Sequence, residues 1–128
     1  MESTRRLAAI MFTDIVGYTA LMGKDEVRAM ALLKRNIQIQ RPFIESFNGD
    51  LLKEMGDGIL ASFHTVSDAV YCAGAIQNAC EAEEDLSLRI GIHQGEVVFE
   101  GHDVFGDSIN IAARIEAIAV SDSILPAM

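Results

Sequence analysis

The chain has 128 residues, 50% of them hydrophobic, which is enough to fill one core and points to a single domain. With 10 basic against 19 acidic residues the net charge is −9, which excludes a broad basic face for nucleic acid or anionic membrane. A phosphate ligand would need metal ions or a few placed cations.

The first apolar run, Leu7 to Phe12, is far short of a signal-peptide core or a membrane span. A cytoplasmic segment with no direct membrane contact is expected, whether or not a longer parent carries an anchor elsewhere. Leu7 to Thr13 shows no polar alternation and closes at Asp14 and Gly17, which suits a central strand covered on both faces. From about Lys24 to Phe47, the residues Val27, Met30, Leu33, Ile37, Ile44 and Phe47 recur at helical spacing, predicting an amphipathic helix that Pro42 should kink or divide. Asn48-Gly49-Asp50 breaks it, and Leu51 to Met55 and Ile59 to Phe63 flank the turn Gly56-Asp57-Gly58 as a hairpin.

Ser67 is placed to cap a second helix running to about Ala82, with Ala69, Val70, Ala73, Ile76 and Cys80 on its inner side. Cys72 and Cys80 lie more than two turns apart in it, too distant to bridge, and read as buried, reduced thiols. Leu86, Leu88, Ile90 and Ile92 alternate with polar or small residues, and Val97-Val98-Phe99 follows His93-Gln94-Gly95, which predicts a strand pair. Gly101 to Asp107 reads as a polar loop, and Ser108 opens a helix to about Ala119. His64, His93 and His102 lack ligand spacing and read as surface or loop residues. Glu96 and Asp107 read as structural, and the methionines, Met22 and Met30 among them, as core filler.

The order β-α-β-β-α-β, followed by an extra strand and helix, predicts an α+β fold with a ferredoxin-like antiparallel sheet. In that topology the first and third strands are antiparallel neighbours, so Asp14 and Asp57 meet at one sheet edge. Alone, Asp14 would read as a helix cap and Asp57 as a turn residue. Together they repel unless a cation lies between them, and magnesium or manganese accepts carboxylate oxygens while leaving positions open for triphosphate oxygens. Asn110 and Arg114, four residues apart, share a helix face among Ile109, Ile111, Ala112, Ala113, Ile115 and Ile118. A buried, unpaired guanidinium would be costly, so Arg114 is expected to meet an acid, a partner chain or a phosphate.

Three stretches then stand in a telling order: Phe12-Thr13-Asp14-Ile15-Val16-Gly17-Tyr18-Thr19, Lys53-Glu54-Met55-Gly56-Asp57-Gly58, and Asp103 to Arg114. Over about residues 7 to 119 the chain resembles the catalytic domain of class III nucleotidyl cyclases. The resemblance implies that Asp14 and Asp57, with the carbonyl of Ile15, hold two Mg2+ or Mn2+ ions. It implies that the backbone through Gly17, Tyr18 and Thr19 holds phosphates ahead of a helix, Gly17 giving room for close approach. Lys53 and Asp103 fall at the family's base-reading positions. A lysine can donate to adenine N1 and a carboxylate can accept from the adenine amino group, whereas guanine presents a donor and a carbonyl there, so ATP is the implied substrate.

The resemblance assigns Asn110 to orienting the ribose and Arg114 to stabilising charge on the α-phosphate. The implied activity is conversion of ATP to 3′,5′-cyclic AMP and pyrophosphate in a head-to-tail homodimer, one subunit supplying the metal carboxylates and the other the remaining residues. Family domains continue through strands bearing a lysine for the triphosphate. No Lys or Arg follows Arg114 here, so a shortened C-terminus is expected. The competing readings are a cyclase-homology module that binds nucleotide or a partner without turnover, and a diguanylate cyclase or polymerase palm. The second is disfavoured because the hairpin lacks a Gly-Gly-Asp/Glu-Glu-Phe signature.

Overall fold

Thirteen residues, Ser3–Ile15, form strand β1, the middle of the sheet and the element that positions the site. The computed structural model describes residues 3–101, 103–118 and 123–127. His102 and the expected helix end at Ala119 lie outside them. β1 is buried on both faces because its apolar run serves two cores. Ala9, Met11 and Ile15 pack with one cluster, whereas Ala8 and Ile10 join Leu60, Val97, Val104 and Ala112 in another. This is the two-sided burial expected of a strand without alternation.

Helix α1 (Tyr18–Lys24) and helix α2 (Glu26–Ser46) follow, where the sequence predicted one helix from about Lys24. Asp25 separates them by capping α2, its Oδ1 accepting from the Arg28 backbone N–H at 3.1 Å. Pro42 lies inside α2 and does not divide it. The buried stripe of α2 is also displaced from the expected one, since Ala29, Leu32, Asn36, Gln40 and Ile44 face inward while Val27 and Met30 are exposed. Two amides can be buried there because the Gln40 amide nitrogen donates to Asn36 Oδ1 at 2.7 Å and to Thr13 Oγ1 at 3.1 Å. Met30 is therefore not core filler, whereas Met11 is fully buried.

The hairpin β2 (Asp50–Met55) and β3 (Gly58–Phe63) forms as expected, and helix α3 (Val66–Cys80) follows. Thr65 rather than Ser67 caps α3, its hydroxyl accepting from the Asp68 N–H at 3.0 Å. Cys72 and Cys80 are free and buried. The expected strand pair is instead one continuous strand, β4 (Leu88–Glu100). His93, Gln94 and Gly95 do not turn, because each pairs with β1 in unbroken register, opposite Ile10, Ala9 and Ala8. His93 is thus half-buried within the sheet and not a surface or loop residue. The predicted polar loop contains a short strand, β5 (Asp103–Phe105), which folds back on β4.

Helix α4 (Asp107–Ile118) and strand β6 (Ser123–Ala127) complete the described residues, β6 running parallel to the first half of β4. The sequence reading placed no strand at β6. The sheet order is β2-β3-β1-β4-β5, with β6 beside β4, so the ferredoxin-like arrangement of the first four strands is present. Among the described residues no helix is long and apolar enough to cross a membrane.

Candidate active site

Antiparallel pairing of Thr13 with Ile59 sets the Gly56-Asp57-Gly58 turn beside the end of β1. There the Ile15 N–H donates to Asp57 Oδ2 at 2.9 Å. The turn carboxylate is therefore fixed against the residue next to Asp14, which is the convergence expected from topology. Gly58 has no room for a side chain, since a Cβ there would come within 2.8 Å of the Phe12 ring. Gly17 follows in the left-handed region (φ 77°) and opens α1 with no side chain capping its N-terminus. Tyr18 is half-buried and Thr19 exposed beside it.

Two charged residues that the sequence reading did not single out complete this end of the sheet. Arg89 lies directly opposite Asp14 in the β1–β4 register, and its Nε donates to Asp14 Oδ1 at 3.3 Å. The same Nε is 3.6 Å from Oε1 of Glu116, whose side chain is only 4% exposed. Burial, then a hydrogen bond with Asp14 and the charges of Asp14 and Asp57, push the Glu116 carboxyl up to about 8, against the pull of Arg89.

This donor set fits a hard divalent cation. Asp14, Asp57 and the backbone of Ile15 supply oxygen atoms only, and the β1–β3 pairing brings them to one sheet edge. Among the described residues no group of three or more His, Cys, Asp or Glu side chains is placed to hold a metal ion, so a cation here would rest on two carboxylates and the backbone. A cation held there would complete its coordination from a ligand.

The second group of candidate residues lies elsewhere. Lys53 on β2 and Asp103 at the start of β5 meet across the sheet, Lys53 Nζ to Asp103 Oδ1 at 3.1 Å. The backbone N–H of Val104, then Lys53, hold the Asp103 carboxyl below its ordinary range. Both residues line a cavity of about 320 Å³ with Met55, Phe105, Ile109 and Asn110. Neither Asp14 nor Asp57 lines that cavity.

Helix α4 presents opposite properties on its two sides. Ser108, Ala112 and Glu116 are buried, while Asn110 and Arg114 are exposed on the other side. Arg114 faces solvent, and among the described residues it has no acid as an ion-pair partner, which leaves a partner chain or a phosphate of the three neighbours expected for it. The inward side is seated by two glycines of β4. A Cβ at Gly91 would come within 2.8 Å of the Ala112 carbonyl oxygen, and one at Gly95 would collide with the Ser108 hydroxyl. Glu96 and Asp107 are exposed, and the backbone carbonyl of Glu96 accepts from Ser108 Oγ at 3.1 Å.

Comparison with known proteins places this architecture. The family model for the adenylate and guanylate cyclase catalytic domain matches residues 2–126. The chain belongs to that family. It is 41% identical over 123 residues to a putative adenylate cyclase 3 of Rhizobium meliloti, covering 90% of this chain and 21% of that protein. It is 29% identical over 126 residues to an adenylate cyclase of Streptomyces coelicolor, covering 97% of this chain and 33% of that one. The chain thus spans a third or less of these relatives. Among solved structures, an adenylate/guanylate cyclase/hydrolase from Silicibacter pomeroyi superposes with a TM-score of 0.88 at 38% identity, covering 96% of this chain and 76% of that one. The catalytic core of a rhodopsin-guanylyl cyclase in complex with ATPαS shares the fold, with a TM-score of 0.87 at 21% identity over 96% of this chain and 78% of that one.

Proposed function

We propose that this domain is an adenylate cyclase, converting ATP to 3′,5′-cyclic AMP and pyrophosphate in a head-to-tail homodimer. The observation that carries the reading is the Lys53–Asp103 pair lining one cavity with Asn110, on a chain that also holds Asp14 and Asp57 together at a separate place. The lysine offers a donor for adenine N1 and the aspartate an acceptor for the adenine amino group; guanine would set donor against donor and carbonyl against carboxylate. The adenylate cyclases named among the relatives support the same choice.

In this reading Asp14, Asp57 and the Ile15 carbonyl hold two magnesium or manganese ions, and the backbone at Gly17, Tyr18 and Thr19 receives phosphate oxygens. Divalent ions there supply Lewis acidity for the 3′-hydroxyl and α-phosphate and charge neutralisation for the triphosphate. The protein's own side chains perform the remaining work. Lys53 and Asp103 hold the base, Asn110 orients the ribose so that the 3′-oxygen faces the α-phosphorus in line with the leaving pyrophosphate, and Arg114 donates to the α-phosphate as its charge grows. Arg89, beside Asp14, adds a cation within reach of the same phosphates.

Among the described residues neither Asp14 nor Asp57 lines the cavity of Lys53, Asp103 and Asn110, and Asn110 and Arg114 face solvent, which supports completion of each site by a second copy. Cyclic nucleotide formation by the protein at high concentration, with ATP or GTP and either metal, tests the proposal. Cyclic AMP from ATP that disappears in Arg114→Ala supports it. ATP binding without product would make the chain a nucleotide-binding homology module instead.

A further inference from the structure

If the strands of the β2-β3-β1-β4-β5 order lay flat, β2 and β5 would be about 19 Å apart. Their side chains instead meet, with Lys53 Nζ 3.1 Å from Asp103 Oδ1, so the sheet curls until these two strands face each other. Each neighbouring pair in that order is antiparallel, and the four steps from β2 to β5 leave the two strands running in the same direction. From the ion pair onward they advance side by side.

Side chains two residues apart on a strand share a face. On β5, Asp103 and Phe105 are exposed on one face, while Val104 between them is buried and anchors the strand. On β2, Lys53 and Met55 share a face, and Glu54 between them lies on the other, where it lines a groove with Met30 and Leu33 of α2. Both strands thus carry a charged group followed two residues later by a large apolar one, and all four side chains line the cavity of about 320 Å³. Phe105 is 50% exposed and Met55 40%. One exposed apolar side chain is ordinary on a protein surface. Two that converge on the cavity of a hydrogen-bonding pair match a ligand with polar edges and apolar faces, and a purine ring is such a ligand.

Lys53 and Asp103 can hold only the edge of a base. Its two π faces are then left for other groups, and an aromatic ring covers one by stacking while a polarizable thioether covers the other. We propose that Phe105 stacks on one face of the substrate's purine ring and Met55 covers the opposite face, an assignment that rests on the reading of Lys53 and Asp103 as the base-holding pair. Stacking does not sense the hydrogen-bonding groups of the edge. Phe105 and Met55 therefore set the affinity for purines as a class, and Lys53 and Asp103 choose between them.

Calorimetric binding of 3′-deoxy-ATP and 3′-deoxy-GTP, which lack the attacking hydroxyl, to the full chain with manganese tests this without turnover. Inorganic tripolyphosphate serves as the probe without a base. Phe105→Ala should weaken both nucleotides by the same factor, roughly 5 to 150-fold, the range for loss of one base–aromatic stack. Tripolyphosphate affinity should stay at its parental value. Phe105→Tyr should bind both nucleotides as the parent does, and Met55→Ala should weaken both by about 2 to 10-fold.

Equal weakening of tripolyphosphate in Phe105→Ala would mark a disturbed fold or subunit contact and overturn the proposal, as would unequal loss of the two nucleotides. Parental nucleotide affinity in Met55→Ala would contradict its place on the opposite face. Should Phe105→Ala not fold, judged by circular dichroism, Phe105→Leu decides in its place, since unchanged affinity without an aromatic ring contradicts stacking. Asp103→Asn separates the two levels. A shifted preference between the nucleotides in that variant, with Phe105→Ala at parental affinity, sinks the stack alone. Parental binding of both nucleotides in both variants removes the base site and the stack with it.

Discussion

At the open end of β1 each charged group is held by another part of the same chain: Asp57 by the Ile15 N–H, Asp14 by Arg89, and Arg89 in turn by Glu116. On the β2, β5 and α4 surface the charged groups face water. Among the described residues Lys53 and Asp103 hold one another and a neighbouring backbone N–H, and Asn110 and Arg114 are exposed. The first region is prepared before any ligand arrives. In the proposed function the second acquires partners only when substrate and a second copy arrive, so variants at the two ends should fail in different ways.

The largest effect is expected for Asp57→Ala. Losing the proposed metal carboxylate would remove several kcal/mol of transition-state stabilisation, so turnover should drop on the order of 10³-fold or more. Manganese binding should fall with it, and the unfolding midpoint should drop slightly because the Ile15 N–H loses its acceptor, worth about 1 kcal/mol. Arg114→Ala should lower kcat by roughly 10² to 10³-fold. Unlike Asp57→Ala, it should leave manganese affinity and thermal stability as they were, since Arg114 is exposed and has no ion-pair partner among the described residues. A stability loss comparable to that of Asp57→Ala would erase the contrast between the two ends.

Smaller changes sharpen it. Asp103→Asn should reduce the preference for ATP over GTP by roughly 10 to 100-fold in kcat/KM, the range of one charge-assisted hydrogen bond. An exposed pair of this kind contributes little to folding, so denaturant midpoints should barely move. Smallest of all, burial pushes the Cys72 thiol up to about 12. Its thiolate is therefore scarce at pH 8, and native protein should resist alkylation by iodoacetamide until it unfolds. Rapid labelling of the native chain would contradict the buried seat of α3.

Asp14 and Asp57 were legible in the sequence because strand order alone brings the end of the first strand to the turn of the hairpin. Lys53, Asp103, Asn110 and Arg114 were singled out by motif spacing through the family resemblance, and the structure brings the first three to one cavity. Arg89 was not, for a specific reason. His93-Gln94-Gly95 suggested a turn, and breaking β4 there hid the single register that sets Arg89 opposite Asp14. Glu116 was masked by its helix, whose isoleucines drew attention away from the true inward side, Ser108, Ala112 and Glu116, seated against Gly95 and Gly91. The phase of α2 was missed by a similar route. Apolar periodicity cannot reveal that Asn36 and Gln40 are buried, because their amides are satisfied by each other and by Thr13 on a distant strand.

The claim that each catalytic site draws one prepared half from one chain and one unpartnered half from another is tested most directly by mixing two dead variants. Asp57→Ala and Arg114→Ala, each inactive alone, should in equal mixture regain about a quarter of parental cyclic AMP formation, because half the dimers are mixed and each mixed dimer holds one intact site of two. No recovery at any mixing ratio, with subunit exchange verified, would show that both groups must come from the same chain and would contradict the account.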